Sequence, residues 1–299
     1  MTAPDVVCVG ESMALVTPER PAPLAEGGPM RLEVAGAEST VACYLAQLGV
    51  SAAWVSRVGA DPLGDLLRTT IGRWGVDIAA VTVDPGAPTG VFFKDPGARV
   101  HYYRAGSAAS RLGPETYVPP AVITHLSGIT PALSPSCAAL VDRLLTERRC
   151  SFDVNYRPGL WPVDRAGPVL AGLAQRAEIV FVGLDEAQTL WGVSSATDVR
   201  SFLPGPPTLV VKDGAAGATS FHAGGTDFVP TPPVDVVEPV GAGDAFAAGY
   251  LAGRLRDLPE TDRLALGHRV AAAALGVTGD VAALDITAPS RKASRHVVR

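Results

Sequence analysis

Short apolar runs alternate with stretches that can be helical along almost the whole chain. Residues 6–10, 53–58, 123–127, 151–154, 179–182 and 209–212 read as buried strands. Residues 39–48, 62–74, 136–147, 163–174 and 185–190 read as helices, with Gly49 closing the first and Asp61 placed to cap the second. Alternation at this spacing predicts βαβ units and a parallel sheet. Two places break it. Residues from about 15 to 34 are rich in Pro, Gly and Glu, and 90–104 reads as two strands, 91–94 and 100–103, turning at Asp95, Pro96 and Gly97. Such strands either leave the main sheet as a flap or form an ordinary surface hairpin. Beyond Leu209, two hairpin-like strands precede 235–238, and helices are expected over 244–255 and 264–275.

Composition narrows the function classes. Apolar residues are 47% and charged residues 18% of the 299, the reverse of a disordered chain. The length suits one large domain or two small ones, and no repeat or long linker divides it. The 32 glycines and 26 prolines are aperiodic, which excludes collagen. A net charge of −5 supplies no basic excess for phosphate backbones, so nucleic acid is not an expected partner. The basic residues Arg291, Lys292, Arg295 and Arg299 read as a solvated terminus. No apolar run reaches the roughly 18 residues of a membrane helix, and no signal peptide is apparent. Cys8, Cys43, Cys137 and Cys150 are far apart and form no CxxC pair. Reduced core thiols in a cytoplasmic protein are the expectation.

The strongest chemical signal is Pro239-Val240-Gly241-Ala242-Gly243-Asp244-Ala245-Phe246. Strand-like residues precede it and an Ala-rich helical segment follows. Glycines let the turn curl so that successive N–H groups point outward, and the helix dipole adds to them, making an anion site. A carboxylate beside such a site can orient an attacking hydroxyl and accept its proton, while the N–H groups stabilise charge on a transferred phosphoryl group. Two other readings compete. Asp244 could merely cap its helix, or the glycines could be a dinucleotide fingerprint. The latter needs a third glycine where Phe246 stands, and the first strand ends in Val9-Gly10-Glu11 without such a loop.

Here the residues resemble the ribokinase-like (pfkB) sugar kinases. Gly241-Ala242-Gly243-Asp244 looks like the family's C-terminal signature, Gly36-Ala37-Glu38 like its N-terminal glycine motif, and Val58-Gly59-Ala60-Asp61-Pro62-Leu63-Gly64 like its "VGxDxxG" turn. Tyr102-Tyr103-Arg104-Ala105-Gly106-Ser107-Ala108, Leu126-Ser127-Gly128-Ile129-Thr130, Asp153-Val154-Asn155-Tyr156-Arg157 and Leu160-Trp161 are similar to the 2-keto-3-deoxygluconate kinases within it. The resemblance implies one domain over 1–299, an α/β fold of the ribokinase-like kind. That fold is a three-layer α/β/α sandwich around a mostly parallel sheet, with a small β-strand lid from about 11–35 and 90–105.

It further implies transfer of a phosphoryl group from ATP, with Mg²⁺, to a six-carbon 2-keto sugar acid. Asp244 would be the base, with Gly241, Ala242 and Gly243 as the anion hole and Arg157 near the transfer centre. Gly36, Ala37, Thr40, Phe92, Tyr102, Arg104, Ile129, Asp153 and Asn155 would meet the sugar. Lys212, Gly214 and Gly217, with Gly241 and Gly243, would meet the nucleotide. Glu186 would help position Mg²⁺ through water, although Gly183 replaces the family's Asn. In relatives the lid strands often pair two subunits, so a homodimer is expected.

An acidic sugar also makes physical sense, because a carboxylate wants a cation and Arg offers a planar fork. Arg104 and Arg157 each sit beside an aromatic, although either could be a surface salt bridge. Asp153 and Asn155 end a strand, where α/β proteins keep their sites; Trp161 reads as packing. Several positions depart from the family pattern. Thr40 stands for Asn, Ala35 for Gly and Phe92 for Tyr. Glu238 and Pro239 replace the Asp and Thr of the "DTxGAGD" form, whose Asp helps hold a monovalent cation in many relatives. None touches Asp244, so kinase chemistry is expected to persist while the choice of sugar is affected. The competing hypotheses are a kinase of a neutral sugar or nucleoside, a non-catalytic sugar sensor, and, more remotely, a nicotinamide-dependent dehydrogenase.

Overall fold

The computed structural model describes residues 3–96, 99–238 and 240–285. Gly97, Pro239 and the basic residues Arg291, Lys292, Arg295 and Arg299 lie outside the described residues. The chain opens with β1 (Val6–Val9), β2 (Met13–Pro18), β3 (Met30–Ala35), α1 (Ala37–Gln47), β4 (Ala52–Val55), β5 (Arg57–Gly59) and α2 (Pro62–Arg73). Next come β6 (Thr82–Asp84), β7 (Val91–Lys94), β8 (Val100–Tyr103), β9 (Ile123–Ser127), α3 (Thr130–Leu133), α4 (Pro135–Glu147), β10 (Cys150–Asp153) and α5 (Val163–Ala174). The rest is β11 (Ile179–Gly183), α6 (Leu184–Trp191), α7 (Ala196–Phe202), β12 (Thr208–Asp213), β13 (Gly217–His222), β14 (Gly225–Pro230), α8 (Ala242–Leu255) and α9 (Glu260–Leu275).

Eight strands form the main sheet in the order β14-β13-β12-β11-β10-β9-β1-β4. From β12 to β4 all neighbours are parallel; β13 and β14 add an antiparallel edge. Parallel strands covered on both faces must be apolar on both, and β1, β9, β10 and β11 are buried at every position. Successive side chains alternate between two cores. Val6 and Cys8 join Tyr44 of α1, Phe246 of α8 and Leu264 of α9. Val7 and Val9 join Leu140 of α4 and Leu170 of α5. The result is the expected three-layer α/β/α sandwich. The four cysteines are buried and free, and Trp161 packs into the second core. No helix among the described residues is long and apolar enough to cross a membrane.

The hairpin strands do leave the main sheet. β3, β2, β7 and β8 form a separate four-stranded sheet, in which the Pro- and Gly-rich stretch supplies the β2–β3 pair. The run 53–58 is not one strand. It breaks at Ser56, and β5 leaves β4 to pair with β6 in a two-stranded sheet. Helices α3 and α7 were not anticipated; they are only 4 and 7 residues long, too short to show a helical period.

Asp61 caps α2 as its position suggests. Its Oδ1 accepts the Gly64 N–H at 2.8 Å and its Oδ2 accepts the Thr89 N–H at 2.8 Å, tying the helix to the segment before β7. Replacing Asp61 by Ala removes both bonds. The expected cost is about 2 kcal/mol, read as a Tm lower by roughly 4 °C or more; an unchanged melting curve would contradict this role.

Candidate active site

The sheet order reverses beside β1, which is flanked by β4 and β9, and α/β proteins open a crevice at such a point. A cleft of about 1040 Å³ lies there. The carboxyl ends of β9 to β12 and the start of α8 line it, and the four-stranded sheet supplies another wall through Met13, Phe92 and Tyr102.

Gly241 is the N-cap of α8, at φ +83°, a left-handed conformation that glycine adopts without strain. The first N–H groups of the helix have no partner inside it and border the cleft with Ala242, Gly243 and Asp244. Asn155 also lies in the left-handed region, at φ 41°, just beyond β10. That backbone lets its Nδ2 donate to Asp244 Oδ1 at 3.1 Å. Asp153, at the end of β10, is buried, and its Oδ2 accepts from Lys212 Nζ at 2.8 Å. Burial and the Asp153 charge push the Asp244 carboxyl up to about 7. Burial works against a charged Lys212, but Asp153 and Glu186 outweigh it and raise its pKa. The centre therefore holds an ammonium ion beside a carboxyl poised to exchange a proton near neutrality.

Glu186 has a structural duty. Its oxygens accept N–H bonds from Gly183 and Tyr156, each at 2.9 Å, so it anchors the start of α6 to the loop after β10. Arg157 Nη1 lies 3.8 Å from Glu186 Oε1, at the cleft. The Oδ1 atoms of Asp153 and Asn155 are buried without a hydrogen-bond partner among the described residues. These two free oxygens can accept from the water shell of a hydrated Mg²⁺, while no group of three or more Asp, Glu, His or Cys among the described residues is placed to hold an ion directly. A monovalent cation on Glu238 does not fit: that carboxylate already binds Lys94 Nζ at 3.1 Å.

Gly36, Ala37, Ile129, Gly214 and Gly217 also line the cleft. Phe92 stacks on Tyr102 at 5.5 Å between ring centroids. Thr40 is a correction. It is buried at 1% exposure and lines a separate cavity of about 280 Å³ with Trp74 and Val281, not the main cleft. The rotation of α1 turns this position toward Trp74 and away from the main cleft.

Three residues in or beside the cleft had no role in the sequence reading. Lys94 and Glu11 line it, and Glu38 lies behind it. Glu38 Oε1 accepts from Ser127 Oγ at 2.7 Å and Thr130 Oγ1 at 2.8 Å, while burial raises its pKa. Glu11 accepts from Arg104 Nε at 2.7 Å and Ser107 Oγ at 2.5 Å. Its signal was available, because it is the first charge after a fully apolar strand.

A helix start with N–H groups unpaired inside the helix, a carboxyl near neutrality and a half-buried ammonium suit the movement of a phosphoryl group onto a hydroxyl. The pfkB family carbohydrate kinase model matches residues 3–287. The chain is 35% identical over 294 residues to the 2-dehydro-3-deoxygluconokinase of Thermoproteus tenax, covering 93% of this chain and 90% of that one. It superposes on a PfkB protein from Polaromonas sp. JS666 with a TM-score of 0.85 at 32% identity, covering 93% of this chain and 98% of that one. A putative Ribokinase II from E. coli, in complex with ATP and Mg²⁺, shares the fold with a TM-score of 0.84 at 23% identity, covering 93% and 94%. The chain belongs to the pfkB family of carbohydrate kinases, and it is an enzyme of the phosphotransferase class.

The raised Asp244 pKa has a stability consequence. A carboxyl that binds its proton more tightly when folded destabilises the fold as pH rises from about 4, its unfolded value, to about 7, and the cost is constant above that. Asp244→Asn removes the charge. Its Tm is expected to match the parent near pH 4 and exceed it at pH 8; a lower Tm at pH 8 would contradict a strained, desolvated carboxyl.

Proposed function

We propose that the protein transfers the γ-phosphoryl group of ATP to a hydroxyl of 2-keto-3-deoxygluconate or a close six-carbon 2-keto acid. The observation that carries this is the pairing, across one cleft, of Asp244 at the start of α8 with Arg104 at the edge of the second sheet. Asp244 takes the proton of the attacking hydroxyl, the new O–P bond forms, the bond from the γ-phosphorus to the bridging oxygen breaks, and ADP leaves. N–H groups of the Gly241 turn and the Lys212 ammonium face the charge that develops. Mg²⁺ supplies charge neutralisation when bound, with Asp153 and Asn155 offering oxygens and Glu186 acting through water. Gly214, with nothing within 4 Å of where a Cβ would lie, leaves room for nucleotide, and Gly217 borders the same cleft while packing against Val229 and Phe228 of β14. Arg104 and Tyr102 receive the acid end of the sugar, and Gly36, Ala37, Ile129 and Phe92 shape its pocket. A neutral sugar would offer no carboxylate to the edge of the Arg104 guanidinium that Glu11 does not already occupy.

The four-stranded sheet acts as a lid on a single domain, excluding water when it closes. Its outer strands carry exposed apolar residues, Leu32 at 50% and Tyr103 at 67%. Such edges seek a partner, which supports a homodimer formed through the lid. Four buried free cysteines support a reducing, cytoplasmic compartment. The Lys94–Glu238 pair supports catalysis without a monovalent cation, so turnover in potassium and in tetramethylammonium buffers should agree within twofold.

The deciding experiment is ADP release with Mg²⁺-ATP on 2-keto-3-deoxygluconate, its galacto epimer, gluconate, fructose, ribose and adenosine. Turnover on the keto-deoxy acids is expected, with kcat/KM rising about tenfold per pH unit below pH 7 and level above it. Asp244→Asn should lose about 10²-fold or more. Turnover on a neutral sugar alone would overturn the acid assignment, and ligand binding without ADP release would indicate a sensor.

A further inference from the structure

We infer that Glu11 is the positioning residue that aims Arg104 at the acid end of the substrate, an inference that rests on the proposed sugar acid. Glu11 follows the β1 turn at the point where strand order reverses, and its side chain has no exposed surface. Arg104 belongs to the other sheet, directly after β8. The two meet at the cleft wall. Arg104 Nε donates to Glu11 Oε2 at 2.7 Å, and Nη2 reaches the same oxygen. Ser107 Oγ donates to Glu11 Oε1 at 2.5 Å, so both carboxylate oxygens are engaged.

The guanidinium is held from two directions. Glu11 takes its Nε and Nη2 edge, and the Tyr102 ring lies under its face, with Cζ 5.7 Å from the ring centroid. Among the described residues nothing accepts from its Nη1, so the Nη1/Nη2 edge is left as a planar fork that suits a ligand carboxylate. Pre-orientation of this kind removes the ordering cost of a long flexible side chain at the moment of binding. Stability alone does not account for the pair, because a buried ion pair generally stabilises a fold no more than apolar residues of the same size. Glu38 offers Arg104 a competing carboxylate: its charge acts on Arg104, and its Oε2 is buried without a partner among the described residues. Without Glu11, Arg104 is free to turn away from the sugar.

The pair also joins the two sheets. Glu11 comes from the main sheet and Arg104 from the second, so the acid-binding group holds its aim only where the second sheet meets the cleft wall. Substrate charge is then read by geometry and not by a net positive field, since Glu11 balances Arg104.

The test is Glu11→Gln, which keeps size and removes the charge. Steady-state kinetics would use 2-keto-3-deoxygluconate, its uncharged methyl ester and ATP. The variant should lose tenfold or more in kcat/KM for the acid and less than twofold for the ester, with KM for ATP unchanged. In ¹⁵N spectra of the substrate-free protein, the Arg104 Nε–H should exchange slowly in the parent and rapidly in Glu11→Gln. Ser107→Ala, which removes the second donor, should give a smaller loss of about threefold, again confined to the acid. Equal losses for acid and ester, or an unchanged acid kcat/KM with a freed Nε–H, would overturn the inference. A parent enzyme that phosphorylates only neutral sugars would show that the substrate assignment had failed instead, and the inference would fall with it.

Discussion

A parallel sheet buried on both faces admits a polar group along its length only where a neighbour satisfies it, as His125 and Ser151 do at 2.9 Å, and it does not admit an unpaired charge. Residues that carry charge can sit only where the strands end. Asp153 ends β10, Lys212 is the next-to-last residue of β12, and the Gly241 turn brings the start of α8 to the same edge. The apolar interior thus dictates where the chemistry is. It also dictates its electrostatics, because groups at a strand end are half withdrawn from water and feel one another strongly. The Asp153–Lys212 pair, at 2.8 Å, is the outcome. It keeps a positive charge inside the cleft that would otherwise be expensive to bury.

That pair explains its neighbours. The Asp153 charge is one reason the Asp244 carboxyl titrates near 7 and the Glu186 carboxyl is raised. Lys212 pulls in the opposite direction on both. A carboxyl at this value is about half ionised at neutral pH and basic enough to take a proton. The left-handed backbone at Asn155 belongs to the same arrangement. It is a local cost of the kind found at functional sites, and it brings Nδ2 to Asp244.

Much of this was legible in the residues. The strands 123–127, 91–94 and 100–103 and the helix 163–174 fall where periodicity and composition put them. The Asp61 cap and the Gly241–Asp244 turn were readable because both follow from local chemistry. Placement across the chain was not legible. Thr40 lies on the expected helix, three residues after Ala37, yet its side chain enters a different cavity, since the rotation of α1 decides which face meets the cleft. Ser56 breaks a run that looks continuous, because pairing with β6 is a long-range choice. Glu186 carries the α6 start as well as any metal role, which spacing alone does not show.

Glu11 shows why such pairings escape a linear reading. Its partners lie 93 and 96 residues away, on a sheet that the main alternation does not predict. A lone Glu after an apolar strand has many solvated explanations. Only the three-dimensional return of Arg104 and Ser107 turns it into an acceptor with both oxygens occupied. The same holds for Lys94 and Glu238, 144 residues apart, which join the second sheet to the turn that precedes α8. Both links run between the second sheet and the catalytic edge of the first. Movement of that sheet must therefore break or carry two ion pairs, Arg104–Glu11 and Lys94–Glu238. The second sheet is in this way tied to the first at both ends of the cleft.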